Sequence, residues 1–533
     1  MKPTISPLEQ ARLSYRPALP AVLEASLHAI APTELAGTSG GDDPAIRDAF
    51  PGLAGANAVR LALASDGPPS RALKVGVVLS GGQAPGGHNV IVGLHDALTA
   101  AHAESCVIGF LAGPRGIFRG DHRVLSAAEI DAHRNTGGFD MIGSGRDKIE
   151  SDAQLAACHA TCERLGLDGL VVIGGDDSNT NAAVLAEYFV QHGQRTVVVG
   201  APKTIDGDLK GGGIEASFGF DTATKVYSEL IGNIERDARS AKKYWHFIKL
   251  MGRSASHVTL ECALATRPNV ALIGEEVRRR NWTLAQVTDH VTHVVRTRAE
   301  AGKHYGVCLV PEGLIEFIPE VGALISELNI LLAEGVETDE LAGRLTPPSA
   351  AAFAALPERI QSQLLIDRDS HGNVQVSRID TEALLVATVG KTLGGGKYQE
   401  HFFGYEGRCA APSNFDANYT AAIGRTAAAL VAHGRTGYIC AVGNLAADPA
   451  SWTAGAVPIT SLMGIETRKV KPVPVISKAL VDLSGAPFNA FDEGRGTWGV
   501  EDAYVYPGPI QYFGPDDIAG RTTETLQLEA GER

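Results

Sequence analysis

Gly81–Asn89 (GGQAPGGHN) sets four glycines ahead of a segment that reads as a helix. Glycines let a backbone come close to a polyanion, and a helix N-terminus offers free N–H groups to it. The spacing is neither GxxxxGK[ST] nor GxGxxG. Taken alone, it serves equally well as a tight strand-to-helix turn. Gly174–Asn181 (GGDDSNTN) places two adjacent carboxylates in a second such loop. Side-by-side carboxylates are costly unless a cation neutralises them, and Asp176 suits Mg²⁺, which favours carboxylate and phosphate oxygens. Both aspartates also suit simple helix caps, and Ser178 and Asn179 are expected to cap the helix that follows. Pro202–Asp208 (PKTIDGD) presents a lysine, a hydroxyl and two carboxylates. Lys203 can meet a phosphate, Thr204 can donate a hydrogen bond, and Asp206 can take a proton from an attacking alcohol. Asp208 can orient Asp206 or touch the water shell of a metal.

Further groups add cations and hydrogen-bonding residues. They are Arg146 in GSGRDK, Lys243 and Tyr244 in KKYW, Met251–Arg253 (MGR), Glu312 in PEG, and Tyr405–Arg408 (YEGR). Each alone is an ordinary surface or salt-bridge residue. Together the cations can hold two phosphate-bearing ligands. Two other patterns are set aside. Gly390-Lys391-Thr392 mimics the end of a phosphate-binding loop, but Leu385 stands where the earlier glycine is required. Cys158 and Cys162 flank His159 at helical spacing with no second Cys/His cluster nearby, so they read as small helix residues.

The elements that must position these loops are legible as apolar runs. Lys74–Ser80, Gly169–Gly175, Thr196–Pro202, His246–Gly252, Tyr305–Pro311 and Gly437–Gly443 are β-branched, do not alternate, and end in the loops above or in comparable ones. Such runs suit strands buried on both faces. Helical segments, among them 89–102 and 182–192, lie between them. The alternation predicts an α/β protein with two Rossmann-like domains of mostly parallel sheets, a helical insertion and an N-terminal extension. Ligands in such sheets bind at the strands' carboxyl ends, so the loops are expected to converge on a cleft. The expected organisation is an N-terminal extension over 1–70, partly helical, and a first α/β domain over 71–205. A second α/β domain over 206–320, a helical insertion over 321–380, a return to the second α/β domain over 381–450, and a covering C-terminal segment over 451–533 follow. Thr38–Asp43 and Asp66–Ser70 read as loops of the extension.

Bulk properties exclude several classes. The chain has 533 residues, 44% of them hydrophobic, and a net charge of −14. That length calls for more than one core. The acidic balance argues against nucleic acid or an anionic membrane as partner. No stretch approaches the roughly 20 apolar residues of a membrane helix, and the N-terminus has no signal-peptide pattern. Seven scattered cysteines form no disulfide framework, so a reducing, cytoplasmic compartment is expected.

GGQAPGGHN, GGDDSNTNA, PKTIDGD, MGR, PEG and YEGR, in this order from about Lys74 to Asn444, closely resemble the phosphofructokinase family, and the GGDD and PKTIDGD versions look like its pyrophosphate-dependent, long-form members. The resemblance implies reversible, Mg²⁺-dependent phosphoryl transfer from pyrophosphate to the 1-hydroxyl of fructose 6-phosphate. It implies that Gly82 and Arg146 contact pyrophosphate, that Asp176 holds Mg²⁺, and that Asp206 is the base, with Lys203, Asp177 and Thr204 beside it. It makes 71–205 the phosphoryl-donor domain and 206–320 with 381–450 the sugar-phosphate domain, and it assigns Thr204, Ile205, Asp206, Met251, Gly252, Arg253, Glu312, Tyr405, Glu406, Gly407 and Arg408 to the sugar phosphate. Lys243 and Tyr244 resemble residues that reach a neighbouring subunit's sugar site, which implies a homodimer or larger. ATP-using relatives have glycine at the Asp177 position and commonly at the Lys203 position. A carboxylate at 177 repels a nucleotide's α-phosphate. Competing readings are an ATP-dependent member of the family and a non-catalytic regulatory subunit on the same fold. A Rossmann dehydrogenase lacks its fingerprint here.

Overall fold

Each of the six apolar runs forms a strand, because continuous Val, Ile and Leu suit a pleated surface covered on both faces. The computed structural model describes residues 12–40, 43–65, 67–68, 70–368, 373–468, 471–510, 520 and 522–531. In chain order the strands are β1 (Ile30–Glu34), β2 (Val59–Leu63), β3 (Lys74–Leu79), β4 (Cys106–Phe110), β5 (His122–Val124), β6 (Gly169–Gly174), β7 (Val197–Thr204) and β8 (Phe218–Gly219). They continue with β9 (Tyr244–Leu250), β10 (Val270–Ala271), β11 (Tyr305–Pro311), β12 (Tyr398–Phe403), β13 (Tyr438–Gly443), β14 (Thr453–Pro458), β15 (Met463–Arg468) and β16 (Lys471–Ile476). Two compact units result, the first made of Met1–Ala223, Gly407–Ala479 and Gln511–Thr522, the second of Thr224–Glu406, Leu480–Ile510 and Thr523–Arg533.

The first unit holds a ten-stranded sheet, ordered β1-β2-β14-β13-β7-β6-β3-β4-β5, with β8 beside β7. Strands β13, β7, β6, β3 and β4 run parallel, and the edges are antiparallel. The chain leaves β3 for β4 on one side and returns to β6 on the other. That reversal opens a crevice at the carboxyl ends of β3 and β6, where the GGQ and GGDD loops begin. Helices Gly87–Ala101 and Asn414–Ala432 pack against each other at backbone distance. A Cβ on Gly424 would lie 2.2 Å from the Val90 carbonyl oxygen, and one on Gly93 would lie 2.4 Å from that of Ala421.

The second unit holds an all-parallel sheet ordered β10-β11-β9-β12. Here too the chain starts in the middle, at β9, and places later strands on both sides. The expected insertion forms helices Pro319–Ala333, Leu341–Arg344, Pro347–Ala355 and Glu358–Ile366. Leu324, Leu328, Ile360 and Leu364 join the core under β9 and β11.

Several details differ from the sequence reading. The N-terminal extension contributes strands β1 and β2 to the main sheet as well as short helices, and residues 1–11, 41–42, 66 and 69 of it lie outside the described residues. The C-terminal segment is part of the sheet itself, since β14 inserts between β2 and β13; its residues 511–519 lie outside the described residues. Residues 206–223 and 407–450, expected with the sugar-phosphate domain, belong to the first unit. An apolar run announces a strand but not the sheet it joins, and β13 pairs with β7 only through long-range register. Gly390-Lys391-Thr392 lies inside the helix Thr381–Leu393. Cys158 and Cys162 are buried in the helix Asp152–Leu165, and burial pushes both thiols up.

Candidate active site

In the first unit the loop after β3 is tied to the helix start after β6 and to the segment around Gly145. Ser178 Oγ donates to Ser80 Oγ at 2.8 Å, and Gly81 N–H donates to the Gly145 carbonyl at 2.8 Å. Gly81 has φ +86°, which only glycine adopts without strain. A Cβ on Gly81 would stand 3.2 Å from Lys203 Nζ. A Cβ on Gly82 would stand 3.2 Å from Arg408 Cζ and Nη1 and 3.6 Å from Arg146 Nη2. Three cations therefore converge on two glycines, and the space a side chain would fill is a cradle for anionic oxygens. Lys203 is 6% exposed. Burial above all, then the charge of Arg408, lowers its pKa to about 8, while Asp206 and Asp176 pull it back up.

The carboxylates stand beside these cations. Asp176 and Asp177 are the first two residues of the helix Asp176–Gln191, where the helix dipole favours negative charge. The expected caps Ser178 and Asn179 lie within the first turn instead; Gly175 is the N-cap. Their side chains are needed elsewhere. Asn179 Nδ2 donates to the Gly174 and Gly175 carbonyls at 2.6 and 2.9 Å, which pins the loop from beneath. Lys148 Nζ lies 3.5 Å from Asp177 Oδ1. Asp206 N–H donates to Thr204 Oγ1 at 3.1 Å, and Ile205 is buried below. Asp206 Oδ1 is buried without a hydrogen-bond partner among the described residues, an acceptor suited to taking a proton. Burial, then the charges of Asp206 and Asp176, raises the Asp208 pKa to about 7. Both of those aspartates thus act on Lys203 and on Asp208, as a shared hollow requires.

This donor set fits Mg²⁺. No group of three or more His, Cys, Asp or Glu forms a cage among the described residues. Mg²⁺ instead takes one or two carboxylates and completes its shell with phosphate oxygens and water. Asp176, partly exposed at the strand end and crowded by other carboxylates, offers that arrangement.

In the second unit Glu312 Oε2 accepts from Gly252 N–H at 3.0 Å, which fixes the MGR turn at the end of β9. Gly252 has φ +127°, Met251 is buried and Arg253 is exposed. Tyr405 is 66% exposed, and Glu406 Oε2 accepts from Gly404 N–H at 2.8 Å. Lys243 and Tyr244 precede β9's buried stretch. Lys242 and Tyr244 both have positive φ, and Lys243 Nζ lies 5.2 Å from the Tyr244 ring centre. The YEGR motif is divided, since Tyr405 and Glu406 belong to this unit while Gly407 and Arg408 belong to the first. Arg408 stands with Arg146 at Gly82. Sequence reasoning passed over Lys148 and Lys478, whose ammonium lies 3.6 Å from Asp176 Oδ2; Lys478 comes from a stretch with no motif to mark it.

Residues 74–431 match the family described as phosphofructokinase. The chain belongs to the phosphofructokinase family. Within that family it is 52% identical to a pyrophosphate–fructose 6-phosphate 1-phosphotransferase of Treponema pallidum (strain Nichols), over 99% of this chain and 97% of that one. It is 48% identical to the protein of the same name from Porphyromonas gingivalis, over 99% of this chain and all of the relative. The beta subunit of that enzyme from Solanum tuberosum is 50% identical, over 99% and 94%. Among solved structures, the pyrophosphate-dependent phosphofructokinase of Marinobacter aquaeolei superposes with a TM-score of 0.55 at 16% identity, covering 85% of this chain and 96% of that one. That likeness concerns the phosphofructokinase fold.

Proposed function

We propose that this phosphofructokinase-family chain is a pyrophosphate–fructose 6-phosphate 1-phosphotransferase, an enzyme that forms fructose 1,6-bisphosphate and phosphate and also runs in reverse. One observation carries the reading. Lys203, Arg146 and Arg408 converge on Gly81 and Gly82 beside Asp176 and Asp206. The chain is also about half identical, over nearly its full length, to relatives that bear this name.

In this mechanism the backbone of Gly81 and Gly82 and the guanidinium of Arg146 bind the pyrophosphate. The sugar's 1-oxygen attacks the nearer phosphorus in line while Asp206 takes its proton. The bond from that phosphorus to the bridging oxygen breaks, and phosphate leaves with the bonding pair. Lys203 and Arg408 stabilise the charge that spreads over the phosphoryl oxygens. Thr204, through its contact with the Asp206 backbone, holds the base in place. The family resemblance assigns Glu312, Met251, Gly252, Arg253, Tyr405 and Glu406, all of the second unit, to the sugar phosphate. Asp176 would hold Mg²⁺, which supplies further charge neutralisation on the phosphate oxygens.

Asp177 sets the donor. Its carboxylate at the helix start repels the α-phosphate of a nucleotide, which pyrophosphate lacks. For Lys243 and Tyr244 a role toward a second copy is proposed, and with it a homodimer or larger assembly. Two positive-φ residues hold this pair at the start of β9. A cytoplasmic location is proposed from the seven free cysteines, since thiols persist in a reducing compartment. No helix among the described residues is long and apolar enough to cross a membrane.

Initial rates on fructose 6-phosphate with pyrophosphate or ATP as donor test the reading. Turnover with pyrophosphate and Mg²⁺ alone is expected. Turnover with ATP and none with pyrophosphate reverses the donor assignment. No turnover with either, at saturating Mg²⁺, points to a regulatory subunit.

A further inference from the structure

The segment after β16 runs directly into the donor half of the first unit, although it carries no recognisable motif. Three backbone anchors fix it there. Ile476 N–H donates to Thr180 Oγ1 at 3.1 Å, on the same helix that begins with Asp176 and Asp177. Ser477 N–H donates to the Leu462 carbonyl at 3.0 Å. Ala479 N–H donates to the Asp208 carbonyl at 2.8 Å, in the loop that carries Asp206. Lys478 is thus held between the helix bearing one pair of carboxylates and the loop bearing the other. Its ammonium lies 3.6 Å from Asp176 Oδ2, and its charge also reaches Asp208.

Lys203, Arg146 and Arg408 gather on the glycine side of this site. On the Asp176 side stands Lys478. A partly exposed ion pair adds little to stability by itself, so stability alone gives weak reason for anchoring a lysine at this spot. An anion bound against four carboxylates gives a stronger one. An ammonium is a compact charge on a flexible stem, able to follow phosphate oxygens as the bond between them breaks.

We propose that Lys478 is a pyrophosphate-binding residue of the donor site, contacting a phosphate oxygen on the Asp176 side. The inference rests on the donor-site reading above and adds to it a residue from the C-terminal segment.

Steady-state kinetics of Lys478→Met and Lys478→Arg test it, with pyrophosphate and fructose 6-phosphate varied in turn. Lys478→Met is expected to raise KM for pyrophosphate about tenfold or more, the loss of a charge-assisted contact, with KM for fructose 6-phosphate within about twofold. Lys478→Arg is expected to recover part of that loss. A second readout is binding itself: the rise in melting temperature that pyrophosphate gives, with and without Mg²⁺, shrinks in Lys478→Met while the rise from fructose 6-phosphate stays. If Lys478→Met does not fold, the same two criteria are applied to Lys478→Gln. A wild-type-like KM and melting shift for pyrophosphate overturns the proposal. An equal loss toward both substrates overturns it too, by marking a general structural role. Wild-type enzyme that ignores pyrophosphate sinks the donor-site reading instead, a separate and visible result.

Discussion

Lys203 should make the enzyme's use of pyrophosphate fall steeply above neutral pH. The perturbation is pH, scanned from 7 to 9, with Lys203→Arg as the reference enzyme. In the free protein, burial and the neighbouring Arg408 lower the Lys203 pKa from 10.5 to about 8. Holding that charge at this buried position therefore costs about 3 kcal/mol relative to water. A pKa lowered in this way means that the ammonium is present below about pH 8 and is lost as pH rises through it. About nine-tenths of the lysine is protonated at pH 7 and about one-tenth at pH 9, so kcat/KM for pyrophosphate should drop about tenfold over that span. Bound pyrophosphate restores the proton, so kcat at saturating donor should be much flatter. Arginine stays charged throughout, and dividing the wild-type profile by that of Lys203→Arg removes the titration of pyrophosphate itself. The assay is initial rate at low pyrophosphate and saturating fructose 6-phosphate. A ratio that stays flat from pH 7 to 9 refutes the reasoning, because the buried cation would then not be what the donor meets.

Two further outcomes follow from the geometry. Asp177→Gly removes the carboxylate at the helix start and frees Lys148 from its 3.5 Å pair. It should admit ATP as a donor and lower kcat/KM for pyrophosphate by about tenfold or more, and donor-swap kinetics that match wild type refute the exclusion argument. Gly424→Ala would put a methyl group 2.2 Å from the Val90 carbonyl oxygen and 2.6 Å from Leu94 N. It should force apart the helices Gly87–Ala101 and Asn414–Ala432 and cost about 1–3 kcal/mol, read as a lower thermal midpoint; an unchanged melt refutes the close approach.

Much of the donor chemistry was legible because it sits in short loops directly after apolar runs. GGQ, GGDD and PKTIDGD each follow a strand of the parallel sheet, so their chemistry and their place at its carboxyl edge could be read together. The caps were misread because Ser178 has its partner at the end of the neighbouring strand, at Ser80, while Asn179 turns back onto the Gly174 and Gly175 carbonyls of its own loop. Local propensity cannot see a partner some hundred residues away, as Ser80 is from Ser178. Lys478 was invisible for the same reason: Asp176 and Asp208, the carboxylates its charge acts on, are close to it in space only.

The sequence by itself determined the six strands that read as continuous apolar runs, two of the helices that follow them, the helical insertion and the residue types of the site. All of these follow from local periodicity and from the chemistry of a few adjacent residues. The tertiary structure decided which sheet each strand joins, that β14 and the N-terminal strands extend the main sheet, and that Arg408 stands at Gly82. Pairing between distant strands is selected by register and burial summed over the whole unit. No window along the chain contains that sum.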